Sequence, residues 1–179
     1  LPRLQQPKLT APLETDAHSA DAMKQGGLYA VTELQGLNAS LPSPAWLRQR
    51  LDRAGMNSVN AVVDLTNVVM LEQGQPLHAF DADVLDDLCG GGVSAADFGL
   101  RQAREGELFQ GLDGREIELD ARAQLVTCRN RPVALAGVMG SADSGVTPAT
   151  TRVWLESALF SPTAVRNSSR CGGLRTESS

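Results

Sequence analysis

Alternating hydrophobic and polar positions predict a series of β-strands. Residues 28–34, LYAVTEL, alternate with a period of two, which is typical of a half-buried strand. Further strands are predicted in AQLVTC, RPVALAGVMG and TRVWLESALF. Asp113 and Gly114 lie between alternating flanks in ELFQGLDGREIEL and predict the turn of a β-hairpin. Asp113 is therefore interpreted as a turn residue rather than as a catalytic acid.

The segment SLPSPAWLRQRLDRAG has a helical pattern instead. Ser43 is a candidate N-cap, Pro44 suits the first helical position, and Gly55 ends the segment. Apolar side chains recur on one face at helical spacing. That face consists of Trp46, Leu47, Leu51 and Ala54.

Two more helices and one surface insertion are predicted. A second helix runs from its cap Asn60 to Gly74, although its β-branched residues leave a strand start open. A last helix begins at Ser161 and Pro162 and ends at the glycine pair that starts with Gly172. Within residues 84–100, the run CGGG and the polar residues after it predict a surface insertion.

This order of elements favours an α+β or β-rich fold whose core is a β-sandwich with peripheral helices. Residues 1–27 mix proline, polar and acidic residues without a period, and predict a loop that leads into the domain. His18 lies in this segment and is not expected to take part in chemistry. Residues 28–179 are predicted to form the folded domain.

The composition is that of a soluble globular protein. Of the 179 residues, 42% are hydrophobic and 21% are charged, and no apolar run reaches the length that a bilayer requires. Cys89, Cys128 and Cys171 are widely spaced without a CxxC pair, which favours a reducing cytosol and argues against zinc. A net charge of −5 has the wrong sign for a domain that binds nucleic acid by itself.

His78, in GQPLHAFD, is the first candidate for chemistry. The common explanation of such a residue is a partly buried imidazole bound to the backbone by a hydrogen bond. Because Pro76 holds the residue before it in an extended conformation, the chain leaves the helix along a defined path that can present His78 at the rim of a cavity. Motifs of dinucleotide, P-loop, zinc-protease and serine-hydrolase sites do not occur in the sequence.

Two further features have both a structural and a functional interpretation. Gly137 and Gly140, in GVMGSADSG, suit a hairpin turn, but they also allow backbone amides to approach a ligand carbonyl or a water molecule. Glu156 interrupts the apolar run VWLESALF. A solvent-facing strand position would explain it, yet alternation places it beside Trp154 and Ala158, where a carboxylate can accept a hydrogen bond from a ligand hydroxyl.

Four blocks of the sequence carry a family resemblance. NAVVDLTNVVMLEQGQPLHAFD, RPVALAGVMG, VWLESALFSPTAVRNSSR and GLRTESS resemble, in that order, the editing region of the β-subunit of bacterial phenylalanyl-tRNA synthetases. The resemblance covers residues 28–179 and implies a domain of the B3/B4 type, a β-sandwich of unusual topology with flanking helices. The first residue, Leu1, and the ending RTESS indicate a piece of a longer chain that is truncated at its C-terminus.

The resemblance also implies an activity. The parent enzyme is an α₂β₂ tetramer of the cytoplasm that ligates phenylalanine to tRNA(Phe) with ATP and Mg²⁺, and this region hydrolyses mischarged tyrosyl-tRNA(Phe) without a cofactor or metal of its own. A pocket for phenylalanine excludes tyrosine poorly, whereas a site that hydrogen-bonds the tyrosine hydroxyl rejects phenylalanine strongly. The implied partners are the α-subunit and the 3′ end of tRNA(Phe), and neither a membrane nor DNA.

Individual roles follow from the same resemblance. Glu156 matches the residue that recognises the tyrosine hydroxyl, His78 matches a histidine of the site, and Gly137 and Gly140 match glycines whose backbone lies near the ester or the attacking water. Whether His78 takes up a proton or only orients its partners is open. The other implied substrate-binding positions are Asn57, Thr66, Asn67, Thr176 and Ser178.

Three positions differ from the family pattern. Asn57 stands where many bacterial relatives carry arginine, Ser141 replaces the second of two adjacent glycines, and Ser178 replaces a frequent alanine. We expect these changes to weaken contact with the terminal adenosine or to alter the polarity of the pocket. An alternative function is a non-catalytic tRNA-docking or interdomain scaffold, and a free-standing hydrolase that acts in trans is a third.

Overall fold

A computed structural model describes residues 28–171 of the chain. The strands are β1 Leu28–Gln35, β2 Leu77–Asp81, β3 Phe98–Gln102, β4 Glu107–Gln110, β5 Glu116–Leu119, β6 Gln124–Cys128, β7 Arg131–Leu135, β8 Met139–Gly140 and β9 Arg152–Leu159. The helices are α1 Ala45–Arg53, α2 Ala61–Gln73, α3 Ala82–Cys89 and α4 Pro162–Cys171, with a 3₁₀ helix at Ala95–Asp97. The predictions for residues 1–27, including His18, and for the glycine pair at Gly172 lie outside the described residues.

The strands form two main antiparallel sheets and one hairpin. In the first sheet β9 lies between β1 and β2, and in the second the strand order is β3-β6-β7-β8. Strands β4 and β5 pair with each other, and their turn contains Gly114 at a φ of +79°. Glycine adopts this left-handed conformation without strain, so the Asp113-Gly114 turn prediction is confirmed.

The two main sheets enclose a common hydrophobic core. Tyr29, Phe80 and Trp154 of the first sheet belong to one cluster of buried residues with Phe98 and Val126 of the second. The ring centroids of Phe98 and Trp154 are 5.4 Å apart, within the range of a favourable aromatic contact. This arrangement of antiparallel sheets with four helices, within the described residues, confirms the α+β prediction.

Helices α1 and α2 pack together beside the first sheet. Asn60 caps α2 by accepting a hydrogen bond from the backbone N–H of Val63, and Gly74 ends it in the left-handed conformation, so this helix is confirmed. The prediction for α1 is correct in position but wrong in detail: Pro44 is its N-cap rather than its first residue, and Ala54 follows it as an exposed C-cap. Ser43 does not cap it, because its hydroxyl donates to Asp64 of α2 instead. The side chain of Trp46 is 57% exposed, because the contact with α2 is made by the buried Leu47 and Leu51.

The prediction of a surface insertion over residues 84–100 is wrong. Asp81 caps a helix here, α3, by accepting from two backbone amides, and this helix buries Leu85 completely. The chain then enters β3, whose first residue Phe98 is also fully buried. Between these elements, the glycine run and the exposed Ser94 and Ala96 fit the prediction of an exposed segment. No helix among residues 28–171 is long and apolar enough to cross a membrane.

Candidate functional site

A cavity of about 340 Å³ opens where the first sheet meets the β7–β8 hairpin. Strand β2 contributes His78 to its wall and β9 contributes Glu156. The hairpin supplies Gly137 and Gly140, and the remaining wall is mainly apolar. Its apolar side chains are those of Leu77, Leu135, Val138, Met139, Leu159, Phe160 and Val165 and of neighbouring alanines and Pro76. A mainly apolar wall with a few convergent polar groups is typical of a small-molecule site.

His78 and Glu156 are direct neighbours across two antiparallel strands. In the register of β2 and β9, the Cα atoms of these residues are partners. Residues paired in this way project to the same face of a sheet, with Cβ atoms about 5 Å apart. The pairing therefore brings an imidazole and a carboxylate together in one cavity, as the resemblance implies.

The Nε2 atom of His78 is buried and makes no hydrogen bond to the described residues. The ring packs edge-on against Phe80, with centroids 4.5 Å apart. Burial lowers the pKa of His78 from 6.5 to about 4, because the charged imidazolium loses its hydration. At neutral pH the ring is thus uncharged. An unpaired buried nitrogen destabilises the folded state, and a ligand or a water molecule in the cavity can relieve that cost.

Glu156 is a buried carboxyl group whose partner is a phenol. The hydroxyl of Tyr29 donates to its Oε2 atom over 3.1 Å. Burial raises the pKa of Glu156 to about 7, and the hydrogen bond from Tyr29 opposes that rise. At neutral pH the group therefore populates both its protonated and its ionised form. The interpretation of Glu156 as a solvent-facing strand residue is excluded by its 7% exposure.

Both glycines of the hairpin are required by close contacts. At Gly137 the φ angle is +69°, and an added Cβ atom would lie 2.7 Å from Cγ2 of Val165. At Gly140 an added Cβ atom would lie 2.6 Å from Nε2 of His78. The hairpin-turn interpretation is therefore confirmed, and the turn forms part of the cavity wall. The approach of its backbone amides to a ligand stays a prediction.

The other implied substrate-binding positions that the structure describes do not line this cavity. Thr66 and Asn67 are on α2 and do not line the cavity among the described residues, and the Thr66 hydroxyl donates to the carbonyl of Val63. Asn57 borders a separate, shallow depression next to Arg48. Thr176 and Ser178 lie outside the described residues.

The hydroxyl of Ser141 does not alter the cavity. Its Oγ atom donates to Asp143 and also forms a hydrogen bond with the Oγ atom of Ser144, so it belongs to the turn after β8.

Sequence reasoning missed Tyr29, which lies on the core face of β1. The one sequence feature that could have pointed to Tyr29 was its inward position in the alternating pattern of β1. Among residues 28–171, no group of three or more His, Cys, Asp or Glu side chains is placed to hold a metal ion.

Comparisons with known proteins place this chain in a family. A family model described as the B3/4 domain matches residues 26–179. The chain is 66% identical over 167 residues to the phenylalanine-tRNA ligase beta subunit of Parasynechococcus marenigrum (strain WH8102), covering 93% of this chain and 20% of that protein. It is 58% identical over 179 residues to the same subunit of Prochlorococcus marinus (strain MIT 9313), covering 100% of this chain and 22% of that protein.

The chain thus spans about a fifth of the length of these curated relatives. A crystal structure of an N-terminal fragment of the phenylalanyl-tRNA synthetase beta-subunit from Pyrococcus horikoshii superimposes with a TM-score of 0.47 and 15% identity, covering 82% of this chain and 45% of that one. The family match extends over the whole of the described fold. The chain therefore belongs to the B3/4 domain family, and the predicted resemblance to phenylalanyl-tRNA synthetase beta subunits is confirmed.

Proposed function

We propose that this domain is the editing region of a phenylalanine-tRNA ligase β-subunit and that its cavity hydrolyses the ester of tyrosyl-tRNA(Phe). The observation that carries the proposal is the pairing of His78 with Glu156 in the wall of one cavity. A buried carboxyl group and an unpartnered imidazole nitrogen are costly to maintain in a core. A ligand with complementary polar groups offsets that cost.

Glu156 supplies the selectivity for tyrosine. In its ionised form it accepts a hydrogen bond from the phenol, and such a charge-assisted bond is about twice as strong as a neutral one. A phenylalanyl side chain would leave this carboxyl group without the bond while excluding water from it. The contact between Tyr29 and Glu156 shows that the carboxyl group accommodates a phenol donor in this environment.

Hydrolysis requires a water molecule at the ester carbon. The residues lining the cavity include no serine, threonine or cysteine among those described, so we assign the attack to water rather than to an enzyme nucleophile. The water oxygen bonds to the carbonyl carbon, the ester C–O bond breaks, and the ribose oxygen receives a proton. We assign His78 a role in orienting this water, and the close backbone at Gly140 fixes the ring.

The remaining partners are proposed from the parent enzyme. We infer an α-subunit in an α₂β₂ assembly in the cytoplasm, with ATP and Mg²⁺ used at the synthetic site rather than in this domain. The net charge of −5 fits a domain that receives only the 3′ end of tRNA(Phe) while other parts of the enzyme hold the rest. Thr66, Asn67, Asn57, Thr176 and Ser178 are retained as proposed contacts of that 3′ end.

The test uses the full-length subunit pair and purified tyrosyl-tRNA(Phe) in the absence of ATP, so that no ester is resynthesised. We expect Glu156→Ala to lower the rate of tyrosyl ester hydrolysis at least tenfold by removing the phenol acceptor, and His78→Ala to lower it by a similar factor. Phenylalanine ligation should stay unchanged in both variants. Equal hydrolysis by the wild-type enzyme and both variants would contradict the site assignment.

One observation favours the scaffold as a second candidate. Tyr29 already satisfies an oxygen of Glu156, so the pair also qualifies as a buried structural hydrogen bond between β1 and β9. If the wild-type enzyme does not hydrolyse tyrosyl-tRNA(Phe), the scaffold function replaces the editing function. In that case Glu156→Ala should alter the stability of the chain but not the fidelity of the enzyme.

A further inference from the structure

Tyr29 reaches Glu156 from the side opposite to His78. Strand β9 lies in the middle of the first sheet, with β1 on one edge and β2 on the other. Glu156 pairs with Val31 on β1 and with His78 on β2, and Tyr29 lies two residues before Val31 on the same face. Among the described residues, Glu156 and His78 line the cavity and Tyr29 does not. The phenol of Tyr29 therefore contacts the carboxyl group without occupying the space for a ligand.

We propose that Tyr29 is a positioning residue for substrate selection: its hydroxyl holds Oε2 of Glu156 and directs the free acceptor sites of the carboxylate to the phenol of the substrate. This inference rests on the proposed editing function. An ionised carboxylate has about four acceptor sites, and Tyr29 uses one of them. A carboxylate fixed on one oxygen needs less reorganisation to bind the ligand hydroxyl than a freely rotating one.

The surroundings of Tyr29 make it a rigid support. Its side chain is 5% exposed and belongs to the core cluster that includes Phe98, Val126 and Trp154. Tyr29 is the one tyrosine of the sequence, and a phenylalanine would fill the same core volume without the hydroxyl. The hydroxyl of Tyr29 thus adds a directed hydrogen bond at a position where core packing requires only the aromatic ring.

The hydrogen bond also acts on the charge of Glu156. Burial raises the pKa of this group, and the bond from Tyr29 favours the ionised form and lowers the pKa again. Loss of the Tyr29 hydroxyl should therefore raise the pKa of Glu156 further. At neutral pH the carboxyl group would be mainly protonated and would offer the substrate phenol a weaker, uncharged acceptor.

Several other ionisable side chains approach this face of the sheet or lie along it. They are His78 on β2, Cys128 on β6 with its neighbour Cys89 of α3, and Arg152 on β9, which is paired with Glu33 of β1 and with Asp83 and Asp86 of α3. The pKa of His78 is lowered to about 4 and that of Cys128 is raised to about 12, both chiefly by burial. The pKa of Tyr29 is raised well above 10 by burial and by Glu156. Between about pH 6 and pH 9, a titration of substrate preference therefore reports on Glu156.

The experiment compares the intact enzyme with its Tyr29→Phe variant. Hydrolysis of tyrosyl-tRNA(Phe) and of phenylalanyl-tRNA(Phe) is measured from about pH 6 to pH 9 without ATP, and uncatalysed hydrolysis is subtracted. The ratio of the two rates is the readout, because titration of the substrate amino group affects both esters equally. Thr127→Val is the matched control, since it removes a buried hydroxyl that bonds to the carbonyl of Gly99 in the second sheet.

We expect the tyrosyl preference of the wild-type enzyme to rise with pH, with a midpoint near the pKa of Glu156, which is about 7. In Tyr29→Phe the midpoint should move up by about one pH unit, so that the preference at pH 7 falls about fivefold and recovers towards pH 9. Thr127→Val should keep the wild-type midpoint. A role of Tyr29 in packing alone would change stability without moving the midpoint.

The possible failures are distinguishable. An unchanged midpoint and an unchanged preference in Tyr29→Phe would overturn the positioning role while leaving the editing function intact. A wild-type enzyme without any tyrosyl preference would overturn the proposed function, and this inference with it. Glu156→Gln identifies the titrating group: its preference should be low and independent of pH, and a retained pH dependence would overturn the assignment of the midpoint to Glu156 and the inference with it.

Discussion

The Nε2 atom of His78 lies 2.6 Å from the place where a Cβ atom would stand on Gly140. This close approach couples the hairpin to the candidate catalytic ring, because any side chain at residue 140 must displace the imidazole. We therefore expect Gly140→Ala to reduce tyrosyl ester hydrolysis by the intact enzyme at least tenfold, with a smaller effect on phenylalanine ligation. Parallel deacylation and ligation assays check this.

Gly145→Ala is the matched control for that change. An added Cβ atom at Gly145 would meet Cδ1 of Leu112 at 2.8 Å, but the side chain of Leu112 is exposed and can move aside. Hydrolysis should therefore stay within about twofold of wild type. Equal losses in the two variants would show that this part of the chain tolerates no added methyl group and that contact with His78 is not the cause.

Glu156 should make the stability of the chain fall as the pH rises. Its pKa is about 7 when folded against 4.5 as an ordinary glutamate. Between these values the unfolded chain has released a proton that the folded chain retains, so the free energy of unfolding decreases across this window. Glu156→Gln removes the effect. The difference in free energy of unfolding between this variant and wild type should therefore shift by about 2 kcal/mol in favour of the variant from pH 5 to pH 7.5. Urea unfolding at both pH values measures this, and Glu118→Gln on the exposed face of β5 should show no such difference.

His78 should have the opposite pH dependence. Its pKa is about 4 when folded against 6.5 as an ordinary histidine. As the pH falls from 6.5 towards 4, the unfolded chain takes up a proton that the folded chain does not, so stability is lost on acidification. His78→Leu removes both this loss and the unpartnered Nε2 atom. We expect it to be as stable as wild type or up to about 1 kcal/mol more stable at pH 7, and less sensitive to acid, in thermal unfolding followed at several pH values.

The elements were predictable from the sequence wherever one local signal decided them. The cap at Asn60, the left-handed Gly74 and the Asp113-Gly114 turn are short-range features, and the structure contains all three. Trp46 was placed on the apolar face of α1 by its spacing, but only a partner helix decides which part of that face is covered. Leu85 was assigned to a surface insertion because the glycines after it obscured a short helix capped by Asp81.

Four lining residues of the candidate cavity were predictable from the sequence, but its geometry was not, and the predicted Asn57, Thr66 and Asn67 do not line it. The resemblance pointed to His78, Glu156, Gly137 and Gly140, and the structure brings these four residues to one cavity. Their cross-strand register depends on β9 lying between β1 and β2, which alternation alone does not determine. Tyr29 was missed for the same reason, since nothing local to β1 indicates that its hydroxyl meets a carboxylate from the other end of the chain.

Asp64 should be essential for the packing of α1 on α2. Its buried carboxylate accepts hydrogen bonds from the hydroxyls of Ser43 and Ser58 and, over 2.8 Å, from the backbone N–H of Val59. Asp64→Asn replaces one acceptor oxygen by an NH₂ group that faces donors, so at least one buried hydroxyl loses its partner. We expect a loss of about 2–3 kcal/mol in the free energy of unfolding of this chain, measured with urea at neutral pH.

Asp87→Asn, at an exposed position of α3, is the control and should change the free energy of unfolding by less than about 0.5 kcal/mol. Equal stability of the two variants would show that the hydrophobic contacts of Leu47 and Leu51 hold the helix pair without the carboxylate.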